Sequence, residues 1–383
     1  MHFSDFDTGA FLRDHWQKEP LLIRSPWDTW ANPLDPDELA GLACEAEVES
    51  RLVTQRKGEW IAEHGPFPET RLRELGAEPW TLLVQAVDHY DPAVAALIEP
   101  FRFIPNWRID DVMVSCAADG GGVGPHFDQY DVFLIQGRGK RRWQTGARCD
   151  AASPLMPHDE LRLLAEFEAV EDWVLEPGDI LYIPPGVAHN GVAVGDNCMT
   201  YSIGFRAPSR AELIAHWADH LLETLPDEDR YEDPDLRAQD NPGAISDAAI
   251  GRLHMIVAET LNDRDGFARW FGEYCSTPKY PEIDWRPERA ITVATLREWV
   301  AANTLLRRNP ASRFSYIRQG ADSVTLFADG RSFACTDGTV AFVETLCAQT
   351  RIVLEADLVN SDDVLALTAE LFNQGSLVRE PED

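Results

Sequence analysis

The feature that most constrains this chain is a glycine-dense segment that runs into a His-x-Asp pair. It reads Gly120-Gly121-Gly122-Val123-Gly124-Pro125-His126-Phe127-Asp128, and the apolar run Val132 to Ile135 follows. Side chains two apart on an extended backbone share a face. His126 and Asp128 therefore present an imidazole and a carboxylate to the same side. A second histidine, His189, comes after the turn-rich Glu176-Pro177-Gly178-Asp179 and Pro184-Pro185-Gly186. Two histidines and one carboxylate with open positions form the facial ligand set of non-haem Fe(II) oxygenases. An isolated H-x-D pair is a weak signal, and the residues alone also allow a β-rich domain whose histidines sit in loops. The glycine entry, the apolar strand and the second histidine after its proline turn favour the metal.

The surrounding pattern is one of short strands. Trp107 to Cys116 reads as a strand with Val112 and Val114 on one face and Asp111, Met113 and Ser115 on the other. Tyr130–Gln136 and Lys140–Thr145 read as successive strands joined at Gly137-Arg138-Gly139. A helix is predicted over 159–168, and further strands over 173–175, 179–183, 187–194 and 199–205. Many short strands between Gly and Pro turns indicate an all-β sandwich or barrel. With the metal set, the expectation is a cupin-like jelly roll. Ahead of it stand a helix over 8–17 that Thr8 can cap, a strand over 21–23, a helix opening at Asp35-Pro36 and a hairpin around Lys57-Gly58. The glycine run either lets a substrate chain approach the metal closely or simply makes a tight turn.

After Arg206 the periodicity becomes helical, with Leu213, Trp217 and Leu221 on one face, then Leu253, Ile256 and Val257, then Phe267, Trp270 and Phe271. The last segment predicts a helix over 294–304, strands near 313–318, 323–328 and 331–335, and helices over 338–348 and 361–374.

The string GGGVGPHFDQYDVFLIQGRGKRRW, with EPGDILYIPPGVAHNG downstream, resembles the Jumonji-C (JmjC) type ribosomal oxygenases, and most closely their bacterial arginine hydroxylases. The likeness continues through FLRDHWQKEPLLIR, WTLLVQAVDHY, NWRIDDVMVS and YSIGFRAP. It covers most of residues 1–210 and thins toward the C-terminus. The resemblance implies an α+β multidomain protein. Its parts would be a JmjC/cupin double-stranded β-helix (1–207), a helical dimerisation domain (208–277) and a winged-helix-like acidic domain (278–383). It implies Fe(II) on His126, Asp128 and His189, with 2-oxoglutarate and O2 as co-substrates. Arg141 would grip the distal carboxylate of 2-oxoglutarate, and Ser115 would offer it a hydroxyl. It implies a homodimer that hydroxylates Cβ of an arginine in protein sixteen of the large ribosomal subunit. Histidyl hydroxylases, lysyl demethylases and cupin metal enzymes without a co-substrate share the fold and stay open as alternatives. Asp119, Tyr130 and Asp131 flank the motif as candidates to meet a cationic substrate.

Charge bears on the partner. Thirty-four Lys and Arg stand against 65 Asp and Glu, a net charge of −31. That argues against direct nucleic-acid binding, which needs cations for phosphates, and fits a basic partner protein. From 291 onward eight arginines face thirteen acids, and the final predicted helix has no basic residue. The winged-helix-like segment is therefore expected not to hold a duplex. Seven cysteines, odd in number and without a C-x-x-C, predict no disulfide framework and a reducing, cytoplasmic setting. The N-terminus has no signal-peptide pattern, and no apolar run reaches the roughly 18 residues of a membrane span.

Overall fold

Alternation of period two sorts the strands of the N-terminal half into two faces. The computed structural model describes residues 2–380 except Asp5, Lys57 and Asn360, so Lys57 at the predicted hairpin tip lies outside the described residues. The elements run α1 (Thr8–Asp14), β1 (Leu21–Ile23), α2 (Pro36–Leu42), β2 (Ser50–Arg56), β3 (Glu59–His64), α3 (Glu69–Arg73), β4 (Trp80–Val84) and α4 (Pro92–Ala95). Then come β5 (Ile109–Ala117), β6 (Asp131–Arg148), β7 (Glu171–Leu175), β8 (Ile180–Ile183) and β9 (Val187–Phe205). Hydrogen bonding orders them β1-β8-β6-β9-β5-β4-β2-β3, with β7 on β6.

The two strands predicted on either side of Gly137-Arg138-Gly139 are one long bent strand, β6. Its register against β9 shifts between Gln136 and Arg138 and again before Lys140. The glycines thus fold the ladder instead of reversing it, as bulges do. On β9, Gly195 and Asn197 take left-handed conformations at the same corner. Residues 131–136 pair with 200–205 in one layer. Residues 138–148 pair with 187–199 in the other, whose edges are β7 and the glycine segment through the bridges Gly122↔Val192 and His126↔His189. This is a two-layered jelly roll.

The large sheet is apolar on both faces for different reasons. Its outer face carries Val112, Val114, Phe133, Tyr182, Ile203 and Phe205, packed against Phe11 of α1 and Phe101. Each such fully buried side chain contributes about 1.5–3 kcal/mol. The inner face, with Val132 and Leu134, looks across to the second layer, which carries Trp143, and the two enclose a pocket.

Two local expectations change. Asp7, not Thr8, caps α1, its carboxylate accepting the Ala10 amide at 2.9 Å. No helix forms over 159–168: Leu161 and Leu163, two apart, are buried together against Val53 and Leu83, which an extended backbone allows. The glycine run serves close packing of backbone on backbone. A Cβ at Gly121 would lie 2.2 Å from the Trp80 carbonyl oxygen, and one at Gly122 would lie 2.5 Å from that of Gly191.

The second half holds α5 (Arg210–Thr224), α6 (Asp247–Leu261), α7 (Arg264–Ser276), α8 (Val293–Ala301), β10 (Leu305–Arg308), β11 (Phe314–Gly320), β12 (Ser323–Ala328) and β13 (Arg331–Thr336). It closes with α9 (Gly338–Ala348), β14 (Arg351–Val353), α10 (Asp362–Asn373) and β15 (Leu377–Arg379). A capping box between Ser209 and Glu212 starts α5. The predicted hairpin turns at Asp329 and Gly330, both at positive φ. The small sheet β14-β10-β15 escaped the sequence reading, because strands of three or four residues carry too little periodicity. Helix α7 joins the two parts of this half. Trp270 packs on Trp217 of α5, and Gly272 sits so tightly on Phe327 of β12 that a Cβ would be 2.3 Å from the ring. All seven cysteines are free. Among the described residues no helix is long and apolar enough to cross a membrane.

Candidate metal centre and its pocket

His126 and His189 are directly opposite one another on neighbouring extended segments. Each donates its backbone N–H to the other's carbonyl, at 3.0 and 2.8 Å, and the ring centroids lie 4.3 Å apart. Asp128 follows two residues on, its own carbonyl accepting the Gly186 amide at 2.7 Å. The proline-glycine turn before His189 thus pins the His-x-Asp segment to β9.

The imidazoles are oriented by backbone. His126 Nδ1 bonds the Gly124 carbonyl at 2.9 Å and His189 Nδ1 bonds that of Val187 at 3.0 Å. Donation from Nδ1 leaves each Nε2 as the lone-pair nitrogen, a common way of fixing metal-ligating histidines. Those nitrogens lie 3.9 and 3.6 Å from Asp128 Oδ2, and the three ligand atoms fall within 4.8 Å of one another. Burial, then the adjacent His126 ring, pushes His189 down to about 4, so it stays in the neutral form that ligates. The donor set fits Fe(II).

Arg141 lies in the same cavity of about 950 Å³, with Ser115, Thr81, Thr200 and Trp143. It is 3% exposed, and neither its Nε nor its Nη2 has a hydrogen-bond partner. Its guanidinium stands 5.8 Å from the Trp143 ring centroid. Lys140 and Arg142 point the other way, into exposed pairs with Glu176 and Asp172. A buried guanidinium without an acceptor is costly, so the pocket is built for an anion.

The mouth is acidic, with Glu49, Asp110, Asp111, Glu160 and Glu212. Tyr130 stands there 43% exposed. Two cations from far along the chain brace these acids and were invisible in the sequence. Lys279 Nζ is 3.2 Å from Asp110 and 3.0 Å from Asp111, and Arg313 Nη2 is 2.7 Å from Asp110. Burial opposes ionisation of Asp110, but Lys279 and Arg313 hold it below the usual carboxylate range. The flanking acids do not converge on the pocket. Asp119 accepts the Gly195 amide at 2.7 Å in the neighbouring turn. Asp131 is fully buried and accepts from Tyr182, Gln17 and Arg108 at 2.6, 2.9 and 3.0 Å. Thr81, Thr200 and Ser202 also face the cavity, a polar alternation on apolar strands that the sequence did carry.

Behind the mouth, Asp88 accepts the Val112 amide at 2.8 Å. Burial, then the charge of Asp111, pushes it up to about 8, while burial, then Arg313 and Lys279, pushes His89 down to about 4. Burial also raises Asp111. Between about pH 4 and 6.5 the Asp88 and His89 contributions oppose each other. From about 6.5 to 8 the folded state still holds a proton on Asp88 that the unfolded chain has lost, so stability falls as pH rises. Asp88→Asn keeps the acceptor and removes that titration. Urea unfolding at pH 6.5 and pH 8 should show a smaller pH-dependent loss in the variant than in the parent.

A jelly roll that carries a facial His-Asp-His set beside a buried, unpartnered guanidinium defines a metal- and 2-oxoglutarate-dependent oxygenase. Residues 96–213 match the JmjC domain family, and residues 259–378 match the ROXA-like winged helix. The chain is 46% identical over 277 residues to the ribosomal protein uL16 3-hydroxylase of Escherichia coli, covering 72% of this chain and 73% of that protein. An X-ray structure of E. coli YcfD superposes with a TM-score of 0.90 at 37% identity, over 99% of this chain and 100% of that one. Another, described as YcfD, a ribosomal oxygenase from E. coli, in complex with cobalt and 2-oxoglutarate, gives 0.87 at 38%, over 99% of both chains. The chain belongs to the JmjC ribosomal oxygenase family.

Proposed function

We propose that this protein hydroxylates Cβ of an arginine in a large-subunit ribosomal protein of the uL16 type, using Fe(II), 2-oxoglutarate and O2. The observation that carries the reading is the orphaned Arg141 guanidinium in the same pocket as His126, Asp128 and His189. A cupin enzyme without a co-substrate would have no use for it. When bound, iron and 2-oxoglutarate supply the oxidising power that places one oxygen atom of O2 into a C–H bond as the co-substrate becomes succinate and CO2.

The chain's own residues do the rest. His126, Asp128 and His189 hold the metal on one side of the cavity, and Arg141 binds the distal carboxylate through parallel N–H bonds. Ser115 and Thr200, on paired strands beside it, offer hydroxyls. Val132, Leu134 and Trp143 keep water from the reacting atoms. The acids of the mouth suit a guanidinium arriving from solvent, and Tyr130 can lie against its aliphatic stem. The net charge of −31 draws a basic ribosomal protein and repels duplex nucleic acid. This enzyme works in the cytoplasm, where that substrate is made. Mass spectrometry of ribosomal proteins from cells with and without the gene tests the reading. The expected result is one arginine that loses a single oxygen atom when the gene is deleted. An unchanged arginine, with the change on histidine or methyl-lysine, would overturn the choice of substrate.

We also infer a homodimer built through the helical region, with 1–207 as the catalytic domain, 208–277 as the dimerisation domain and 278–383 as the acidic winged-helix-like domain. Trp217 turns inward onto α7, but α6 has no buried residue although it carries Ile250, Leu253, Met255, Ile256 and Val257. Such a patch on a monomer calls for a cover, and a two-fold copy is the commonest one. Light scattering should give twice the chain mass, and Leu253→Asp with Val257→Asp should give the monomer. A monomeric parent at micromolar concentration would refute the dimer.

A further inference from the structure

A second cavity, of about 260 Å³, lies where the C-terminal domain meets the catalytic domain, and none of the metal-centre residues lines it. Its walls come from the stretch between β4 and β5, from β10 with the loop after it, and from the start of β14. In a chain with almost twice as many acids as bases, the charged lining here is mainly arginine: Arg102, Arg307, Arg308, Arg313 and Arg351.

Most of the neighbouring charge is already matched. Arg313 is taken by Asp110 at 2.7 Å and Arg351 by Glu380 at 2.5 Å. Glu99 is 3.4 Å from Arg102, which also donates to Asn106 at 3.2 and 3.3 Å. The remaining acid, Asp88, is held protonated at neutral pH by burial and by Asp111, and His89 is held neutral. Arg307 and Arg308 are left over. Each has a buried Nε without a hydrogen-bond partner, and neither forms an ion pair among the described residues. Arg308 stands 5.4 Å from the Phe314 ring centroid, and burial, then the charge of Arg102, lowers its pKa to about 9. A buried guanidinium depressed by a like charge across the cavity, with an unsatisfied donor, lacks its counter-charge.

We propose that this cavity binds a small phosphate-class oxyanion, inorganic phosphate or the phosphate group of a small metabolite, between Arg308 and Arg102. Guanidinium forks match phosphate oxygens in pairs. Donors from several chain segments suit a tetrahedral anion with acceptors on every side. The small volume of about 260 Å³ and the acidic exterior disfavour a nucleic-acid backbone. Arg102 belongs to the catalytic domain and Arg308 to β10, so the anion ties the two domains together. The same contact already includes the Asn106 side chain donating to the Cys347 carbonyl at 2.9 Å.

The test uses the full-length protein, with inorganic phosphate as the probe and chloride at equal ionic strength as the reference. Calorimetry should give saturable binding of one phosphate per chain, and phosphate should raise Tm through linkage. Arg308→Gln should weaken phosphate binding by about tenfold or more and abolish the Tm increment. In chloride this variant should unfold no earlier than the parent, since an unpaired buried charge is gone, and its oxygenase turnover should be unchanged. Arg102→Gln, on the opposite wall, should lose phosphate binding as well and guards against a fold defect peculiar to position 308. A nucleotide that binds more tightly than phosphate, and is lost with Arg308→Gln, would identify a metabolite phosphate as the source. No saturable phosphate binding in the millimolar range, or equal binding by both variants and the parent, would overturn the proposal.

Discussion

Asp128→Ala should abolish 2-oxoglutarate-dependent succinate formation and most Fe(II) binding while leaving the fold intact. The Asp128 side chain is about a quarter exposed, and its position in the sheet comes from its backbone carbonyl, which accepts the Gly186 amide. Removing the carboxylate therefore breaks no core contact. What is lost is one of the three donors that meet within 4.8 Å. Removing a group that merely supports a metal ligand costs roughly 10–100-fold, and losing a ligand should exceed that. Circular dichroism should be unchanged, and Fe(II) titration should give little or no binding. Full activity in Asp128→Ala would remove the facial set from consideration.

Arg141→Ala should raise the KM for 2-oxoglutarate steeply. Loss of a buried charged partner costs about 2–5 kcal/mol, roughly 30-fold or more in affinity. Arg141→Lys should keep part of the affinity, since a point charge remains but the paired bonds are lost. The same truncation should not lower the stability of the protein without 2-oxoglutarate, because the guanidinium has unmet donors there. Lys140→Ala and Arg142→Ala serve as controls, since both side chains sit in exposed ion pairs. An unchanged KM in Arg141→Ala would place the co-substrate's cation elsewhere.

These effects rest on features of unequal visibility. The His-x-Asp pair, the later histidine and the outward-inward-outward order of Lys140, Arg141 and Arg142 could be read because period two fixes which side chains share a face. The alternation on β5 was legible for the same reason: Val112 and Val114 enter the outer core, and Met113 and Ser115 line the cavity. Leu161 and Leu163 misled, because a run of leucines between polar residues fits a helix until their common burial demands an extended chain. Asp119 and Asp131 were candidates by position alone. Nearness to a motif says nothing about direction: Asp119 Oδ1 accepts a turn amide, and Asp131 accepts from buried hydroxyl and guanidinium donors.

The sequence by itself marked most strands of the jelly roll, the His-Asp-His set and the faces on which these residues stand, since these follow from spacings of two along an extended backbone. It also determined the acidity, a net charge of −31. Only the tertiary structure decided what those faces enclose. It bent β6 and β9 across two layers, leaving Arg141 without a partner in the pocket of the triad. It brought Lys279 and Arg313 back to Asp110 and Asp111 from more than 150 residues away. It also gathered Arg102, Arg307 and Arg308 around one cavity. Local periodicity cannot encode such meetings. They arise from the closure of long loops, whose ends are chosen by packing and by the match of charges, not by any repeat in the chain.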